Sequence, residues 1–182
     1  MKQNISKVIE IPAGIEVIAE PGELTVKGAK GEIKKKLTLR GIKMEKQGNT
    51  IVLSAEKSTK RERTIIGTTA AHIRNMISGV ENVFEYKLQV CSVHFPITVT
   101  IDSNKHIATI KNFLGEVKDR KAKLIADVEV KVEGDIITVT SSDKEKAGQT
   151  SLNLEKATRV RARDKRVFQD GIFMIEKAGR KI

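Results

Sequence analysis
Few side chains of this chain could make or break a bond, and many could hold a phosphate. His72, His94 and His106 have no spacing that suggests a metal site, and the single cysteine, Cys91, brings no second thiol. Cys91 and His94 fall in the alternating run FEYKLQVCSVHFP, which reads as a strand, where a buried structural thiol is the ordinary role. His72, between Ala71 and Ile73 of a helical stripe, reads as a partly buried or surface histidine. Carboxylates are plentiful, but no spacing pairs two of them as an acid and a base. GAKG from Gly28 to Gly31 has the spacing of the loop with which KH domains clamp a nucleic-acid backbone. Its flanks alternate like strands rather than helices, so it reads as a hairpin turn. No phosphate-binding P-loop is present, and the sequence calls for no enzyme activity, metal or cofactor. Arg159, Arg161, Arg163, Lys165 and Arg166 are the exception, five cations within eight positions interrupted among charged residues only by Asp164. A guanidinium offers a planar fork of donors that matches phosphate oxygens. Such density must meet something acidic or stay solvated as a plain charge run.

The elements that would deliver this cluster can be read just upstream. Ser142 and Glu145 have capping-box spacing, with Asp143 adding negative charge at a helix's positive end. Ala147, Ser151, Leu154 and Ala157 or Thr158 follow at three-and-four spacing, a helix docked by one stripe. Gly148 inside that pattern costs roughly 1 kcal/mol against alanine, so a close contact is expected there. Lys177, Arg180 and Lys181 in the tail are read as support for the arginine cluster.

Composition bounds the partner. The chain has 182 residues, 39% hydrophobic and 31% charged, with a formal net charge of +11 and a pI near 9.8. That field attracts polyanions, nucleic acid first, although an inert basic surface has the same totals. No apolar run approaches the roughly 18 residues of a membrane span. The start MKQNISKVIEI lacks the layout of a secretory signal, and the lone cysteine fits a reducing compartment. The cytoplasm is therefore the expected location.

In chain order, Ile5 to Ala19 form short strands broken at Pro12 and Gly14, and Pro21 with Gly22 makes the next turn. IKMEKQGNTIVLSA reads as a hairpin across Gln47, Gly48 and Asn49. Thr59 and Glu62 form a second capping box, and Ile66, Ala70, Ile73 and Ile77 a helical stripe ending at Gly79 as its C-cap. The programme then repeats. GEIK at Gly31 is echoed by GEVK at Gly115, and a hairpin precedes a capped helix in both halves. The predicted fold is α+β, with two homologous domains from an internal repeat, each a small antiparallel sheet packed against one helix. The domains are expected at 1–81 and 82–182, with the boundary near Val80 to Asn82.

Residues 1–80 carry the larger net charge, +7 against +4 for 81–182. Many of those lysines, such as Lys34, Lys35 and Lys36, lie along strands, where they also discourage edge pairing. The arginines of the second half are clustered, and that half is the expected binder. Aromatic residues are only 3% of the chain, and Phe84, Tyr86, Phe95 and Phe113 read as core. Base stacking is therefore poorly supplied, and folded RNA gripped by phosphate, 2′-hydroxyl and shape fits better.

DKEKAGQTSLNLEKATRVRARDKRVFQDGIFMIEK closely resembles the C-terminal region of the sixth large-subunit ribosomal protein family, in its archaeal and eukaryotic form. IPAGIEV, LTVKGAKGEI and RTIIGTTAAHIRNMISGV extend the resemblance over essentially the whole chain. It implies two homologous α+β domains and binding to large-subunit ribosomal RNA, mainly through the second domain. The implied place is near the sarcin-ricin loop and the stalk base, beside neighbouring large-subunit ribosomal proteins and the docking site of translational GTPases. By position, Lys144, Lys146, Gln149 and Thr150 would begin the RNA-facing helix, and Arg159 to Gly171, with Gln169 and Asp170, would follow it. Bacterial members have a proline- and glycine-rich basic segment after the helix, which this chain lacks. A free RNA chaperone or regulator would use the same basic face but bind unrelated RNAs equally. A nuclease would need an acid and base or a metal cluster.

Overall fold
A computed structural model of the chain describes residues 3–20 and 22–182. The chain divides between Val83 and Phe84 into two compact units.

The first unit contains β1 (Gln3–Glu10), β2 (Glu16–Glu20), β3 (Glu23–Gly28), β4 (Gly31–Lys36), β5 (Lys43–Gln47), β6 (Thr50–Ser58) and α1 (Lys60–Glu81). Its antiparallel strands form two three-stranded sheets, ordered β1-β6-β5 and β2-β3-β4. Strand alternation turns Val17, Leu24, Val26, Ile33, Ile51 and Leu53 inward. The α1 stripe of Ile66, Ala70, Ile73 and Ile77 is buried against them. Each fully buried aliphatic side chain of this kind contributes roughly 1.5–3 kcal/mol.

The expected turns mostly form. Thr50 pairs with Gln47 to close the β5-β6 hairpin, with Gly48 at a φ of 58°. GAKG is a hairpin turn, with Gly28 opposite Gly31. Of the turn expected at Pro21 and Gly22, Gly22 has a φ of 85° and Pro21 lies outside the described residues. At the start of α1 the Glu62 carboxylate takes the Thr59 backbone N–H at 2.7 Å and bonds the Thr59 hydroxyl as well. Those bonds hold the Glu62 carboxyl below its ordinary range. Gly79 is not the C-cap. It is buried inside α1, which runs two residues further to an extended Asn82, because Val80 still belongs to the buried stripe.

The second unit contains β7 (Phe84–Cys91), β8 (Thr98–Asp102), β9 (Ile107–Lys111), β10 (Arg120–Lys123), β11 (Glu129–Glu133), β12 (Ile136–Ser141), α2 (Lys144–Ala157), β13 (Gly171–Lys177) and β14 (Arg180–Lys181). Its sheets are β10-β9-β8 and β11-β12-β7-β13-β14. The order β7, β12, β11 repeats β1, β6, β5, and in each unit a helix follows the middle strand of those three, β6 or β12. The repeat thus lies in the topology, with β13 and β14 added beside β7. GEVK is not the counterpart of GEIK in structure. Ile33 is a buried strand residue, whereas Val117 is fully exposed in the loop between β9 and β10.

Candidate nucleic-acid interface
The helix α2 begins one residue later than the capping box would place it. Asp143 is the N-cap, and its carboxylate accepts the Glu145 N–H at 2.9 Å. Ser141 is already committed, its hydroxyl donating to the Asp127 carbonyl and accepting the Asp143 N–H. The buried face is Ala147, Thr150, Ser151 and Leu154. Gly148 makes the expected close contact, since a Cβ there would lie 3.3 Å from the Tyr86 hydroxyl oxygen. That ring is buried, which pushes its phenol upward in pKa.

On the outer side of the helix start, the Lys144 ammonium lies 5.4 Å from the centre of the Phe84 ring. Lys146 pairs with Asp127 at 2.6 Å and holds that carboxyl below its ordinary range. Gln149 is exposed and donates to Asn153, which in turn donates to the Lys123 carbonyl. Thr150 is wholly buried, and its hydroxyl accepts the Ile125 N–H at 3.4 Å. It therefore secures the helix to the 124–127 loop and offers nothing to an outside partner, contrary to the sequence expectation.

The other end of α2 is held by a residue that sequence reasoning missed. Arg120 on β10 donates to the carbonyl of Ala157, an orphan acceptor of the last turn, at 3.0 Å and to that of Arg159 just beyond the helix at 3.3 Å. Its remaining donors grip Glu116 at 2.8 and 2.5 Å, and its plane lies 4.2 Å above the Phe113 ring. The Arg120 hydrogen bonds hold the Glu116 carboxyl below its usual range. No local pattern announces a C-cap that comes from 37 residues upstream.

From this fixed point the arginine segment runs exposed from Arg159 to Val167, apart from half-buried Val160. Arg166 is paired with Asp164 at 3.0 Å, and Arg163 lies 4.7 Å over the Phe168 ring. Among the described residues, Arg159, Arg161 and Lys165 have no carboxylate within ion-pair distance. Gln169 is exposed, donating to the Arg166 carbonyl.

The segment is fastened again at Asp170, which is 1% exposed. Its carboxylate accepts the backbone N–H groups of Val93 and His94 at 2.7 and 2.9 Å and bonds His94 Nδ1 at 2.5 Å. Burial alone would push this carboxyl up in pKa. The His94 and Val93 donors outweigh burial and bring it below its ordinary value. An ionised carboxylate can only accept, so Nδ1 carries the proton. The His94 ring stacks on Phe168 at 5.1 Å.

Asp170 and Gly171 are buried and act as anchors, not as contacts for a partner. His94 lies beyond the end of β7 rather than on the strand, because Asp170 draws the 93–94 backbone away. The tail is also placed differently from expectation. Lys177 pairs across the sheet with Tyr86, whose hydroxyl donates to the Lys144 carbonyl at 3.4 Å. Lys177, with Arg180 and Lys181 beside it in β14, thus belongs with the helix start. The arginine segment is at the far end of α2, 14 residues or about 21 Å away at 1.5 Å per residue. The cations of this unit thus fall into two groups, at the two ends of one helix. Among the described residues no cluster of His, Cys, Asp and Glu could hold a metal ion, and no helix is long and apolar enough to cross a membrane.

Fold and face together define a basic protein of two repeated α+β units, whose second unit presents a pinned arginine segment suited to phosphate. The chain belongs to the ribosomal protein L6 family, whose family model matches residues 11–82 and 95–171. It is 46% identical over 173 residues to the large ribosomal subunit protein uL6 of Methanobrevibacter smithii, covering 95% of this chain and 96% of that one. It is 42% identical over 176 residues to uL6 of Methanococcus vannielii, covering 97% and 96%. With uL6 of Desulfurococcus amylolyticus the figures are 39% over 175 residues, 96% and 95%. These relatives are named as ribosomal constituents and not as enzymes.

Proposed function
We propose that this chain is a structural constituent of the cytoplasmic large ribosomal subunit, and that it grips folded large-subunit ribosomal RNA near the sarcin-ricin loop and the stalk base. There it supports the region where translational GTPases dock, beside neighbouring ribosomal proteins. In this reading 1–81 and 82–182 act as separate domains, and the second carries the main RNA contact. The observation that carries the reading is the arginine segment itself. Exposed cations are strung between two rigid anchors, Arg120 under Arg159 and His94 around Asp170. A tethered segment loses less conformational entropy on binding than a free tail. Releasing counterions from the RNA then supplies a salt-dependent driving force.

Arg159, Arg161, Arg163, Lys165 and Arg166 make one contact, with exposed Gln169 beside them. Lys144, Lys146, Gln149, Lys177, Arg180 and Lys181 make a second contact about one helix length away. The test is photo-crosslinking of the full chain to intact large-subunit RNA, followed by sequencing of both partners. Crosslinks from 159–169 to nucleotides around the sarcin-ricin loop are expected. Crosslinks confined to the first unit, or scattered over the RNA without preference, would overturn the reading.

A further inference from the structure
The arginine segment does more than expose cations, because it overhangs a groove. This groove, of about 790 Å³, lies between the end of α2, the segment and the start of β13. Leu152, Val160, Phe168 and Phe173 give it apolar walls, and Lys156, Arg159 and Lys165 stand among its lining as cations. Phe173 is 44% exposed, unlike the buried Tyr86 and Phe113. Its ring lies against the backbone of Gly171, where a Cβ would come within 3.3 Å of it. The absent side chain at Gly171 therefore lets the ring lie down on the strand.

The β14 strand pairs β13 only at Glu176 and Lys177. The Gly171–Met174 stretch thus has β7 on one side and, among the described residues, no strand on the other. The result is an aromatic platform whose groove is lined by three cations, Lys156, Arg159 and Lys165, against one half-buried carboxylate, Glu155, and the already anchored Asp170. That matches the chemistry of one nucleotide, a flat apolar base joined to a phosphate, which single-stranded RNA presents when a base leaves its stack.

We propose that this groove receives one unstacked base of the bound RNA, laid on Phe173, with its phosphate at Lys156, Arg159 or Lys165. The proposal rests on the RNA-binding reading above and deepens it. The protein then reads a splayed nucleotide as well as the RNA's shape and charge, although the chain is poor in aromatic residues.

The experiment uses the full chain and a transcribed large-subunit RNA fragment containing the sarcin-ricin region. It compares wild type with Phe173→Leu, Phe173→Tyr and Leu152→Trp, the last filling the groove from the helix side. Loss of one stacked base weakens binding by roughly 5- to 150-fold. Phe173→Leu and Leu152→Trp should fall in that range with the salt slope of wild type, since every phosphate keeps its cation. Phe173→Tyr should bind like wild type. Chemical probing should find one base whose protection by wild type disappears with Phe173→Leu.

If Phe173→Leu fails to fold, Leu152→Trp carries the test. Affinities within about twofold of wild type and no protected base would overturn the proposal. So would normal RNA binding combined with defective incorporation into subunits, since a protein would then be the occupant. Wild type that binds the fragment no better than unrelated RNA would overturn the RNA-binding reading, and this proposal with it.

Discussion

Replacing Asp170 with asparagine tests the anchor on which the arginine segment depends. The carboxylate is buried and accepts three hydrogen bonds, two from backbone N–H groups on one oxygen and one from His94 on the other. Bonds to a charged acceptor are worth about 1.5–3 kcal/mol each, against about 1 kcal/mol for neutral pairs. Asparagine can keep the two backbone bonds through its carbonyl, at neutral strength. Its amide would face His94 Nδ1, which must then give up its proton to accept. The summed loss over the three bonds is about 1.5–6 kcal/mol, and no longer burying a charge offsets part of it, leaving about 2 kcal/mol. For a unit near 100 residues that corresponds to a fall in Tm of about 8–16 °C for its unfolding. The assay is thermal and urea unfolding of both proteins at pH 7, with amide exchange at Val93 and His94.

The variant should also change the pH profile. Because the folded-state carboxyl is held below its ordinary value, its stabilisation is present above about pH 3.9. It is lost as pH falls from there through the folded pKa. Asp170→Asn should remove that acid-side loss and leave a flatter curve. Unchanged stability at pH 7, or an identical acid limb, would refute the reasoning.

Other positions give independent outcomes. Gly28→Ala should destabilise the first unit by about 1–3 kcal/mol in urea unfolding, because its Cβ would sit 2.7 Å from Val80 Cγ2. Arg120→Ala should cost about 1–2 kcal/mol and speed amide exchange at the end of α2 and just beyond it, since the carbonyls of Ala157 and Arg159 lose their donor. Arg120→Lys should recover only part, lacking the fork that serves Glu116 at the same time. Lys146→Gln should change stability by less than about 1 kcal/mol, its pair with Asp127 being exposed. It should lower the salt slope of RNA binding by about 1 if the helix start touches phosphate.

The parts of this molecule that were readable in advance are those encoded within a few residues. The α1 stripe, the hairpin at Gly48 and the Thr59–Glu62 box each depend on neighbours, and they form as read. The start of α2 lies one residue from the expected place because Ser142 and Asp143 are both good caps. The helix is capped at Asp143, whose carboxylate takes the Glu145 N–H. GEVK misled because a sequence echo carries no information about the loop that precedes β10. In the candidate interface, the exposed cations were legible as a cluster of residue types. Their anchors were not, because Arg120 and Ala157 stand 37 residues apart and His94 and Asp170 stand 76 apart. The buried roles of Thr150 and Asp170 were hidden for the same reason, since a polar side chain gives no local sign of turning inward. Phe95 shows the converse, an aromatic residue read as core that is 47% exposed and lies against Gly115 of a neighbouring loop.

The central claim is that the pinned arginine segment grips phosphates of large-subunit RNA. It is tested most directly by a salt titration of binding to the transcribed sarcin-ricin fragment, beside an unrelated folded RNA. Wild type is compared with the Arg159→Ala, Arg161→Ala, Arg163→Ala triple variant. The account predicts weaker binding to the cognate fragment and a log–log salt slope flatter by about 1 for each phosphate that the variant no longer neutralises. Unchanged affinity and slope in a folded variant would contradict it, leaving the segment a solvated face and moving the search to the lysine-rich first unit.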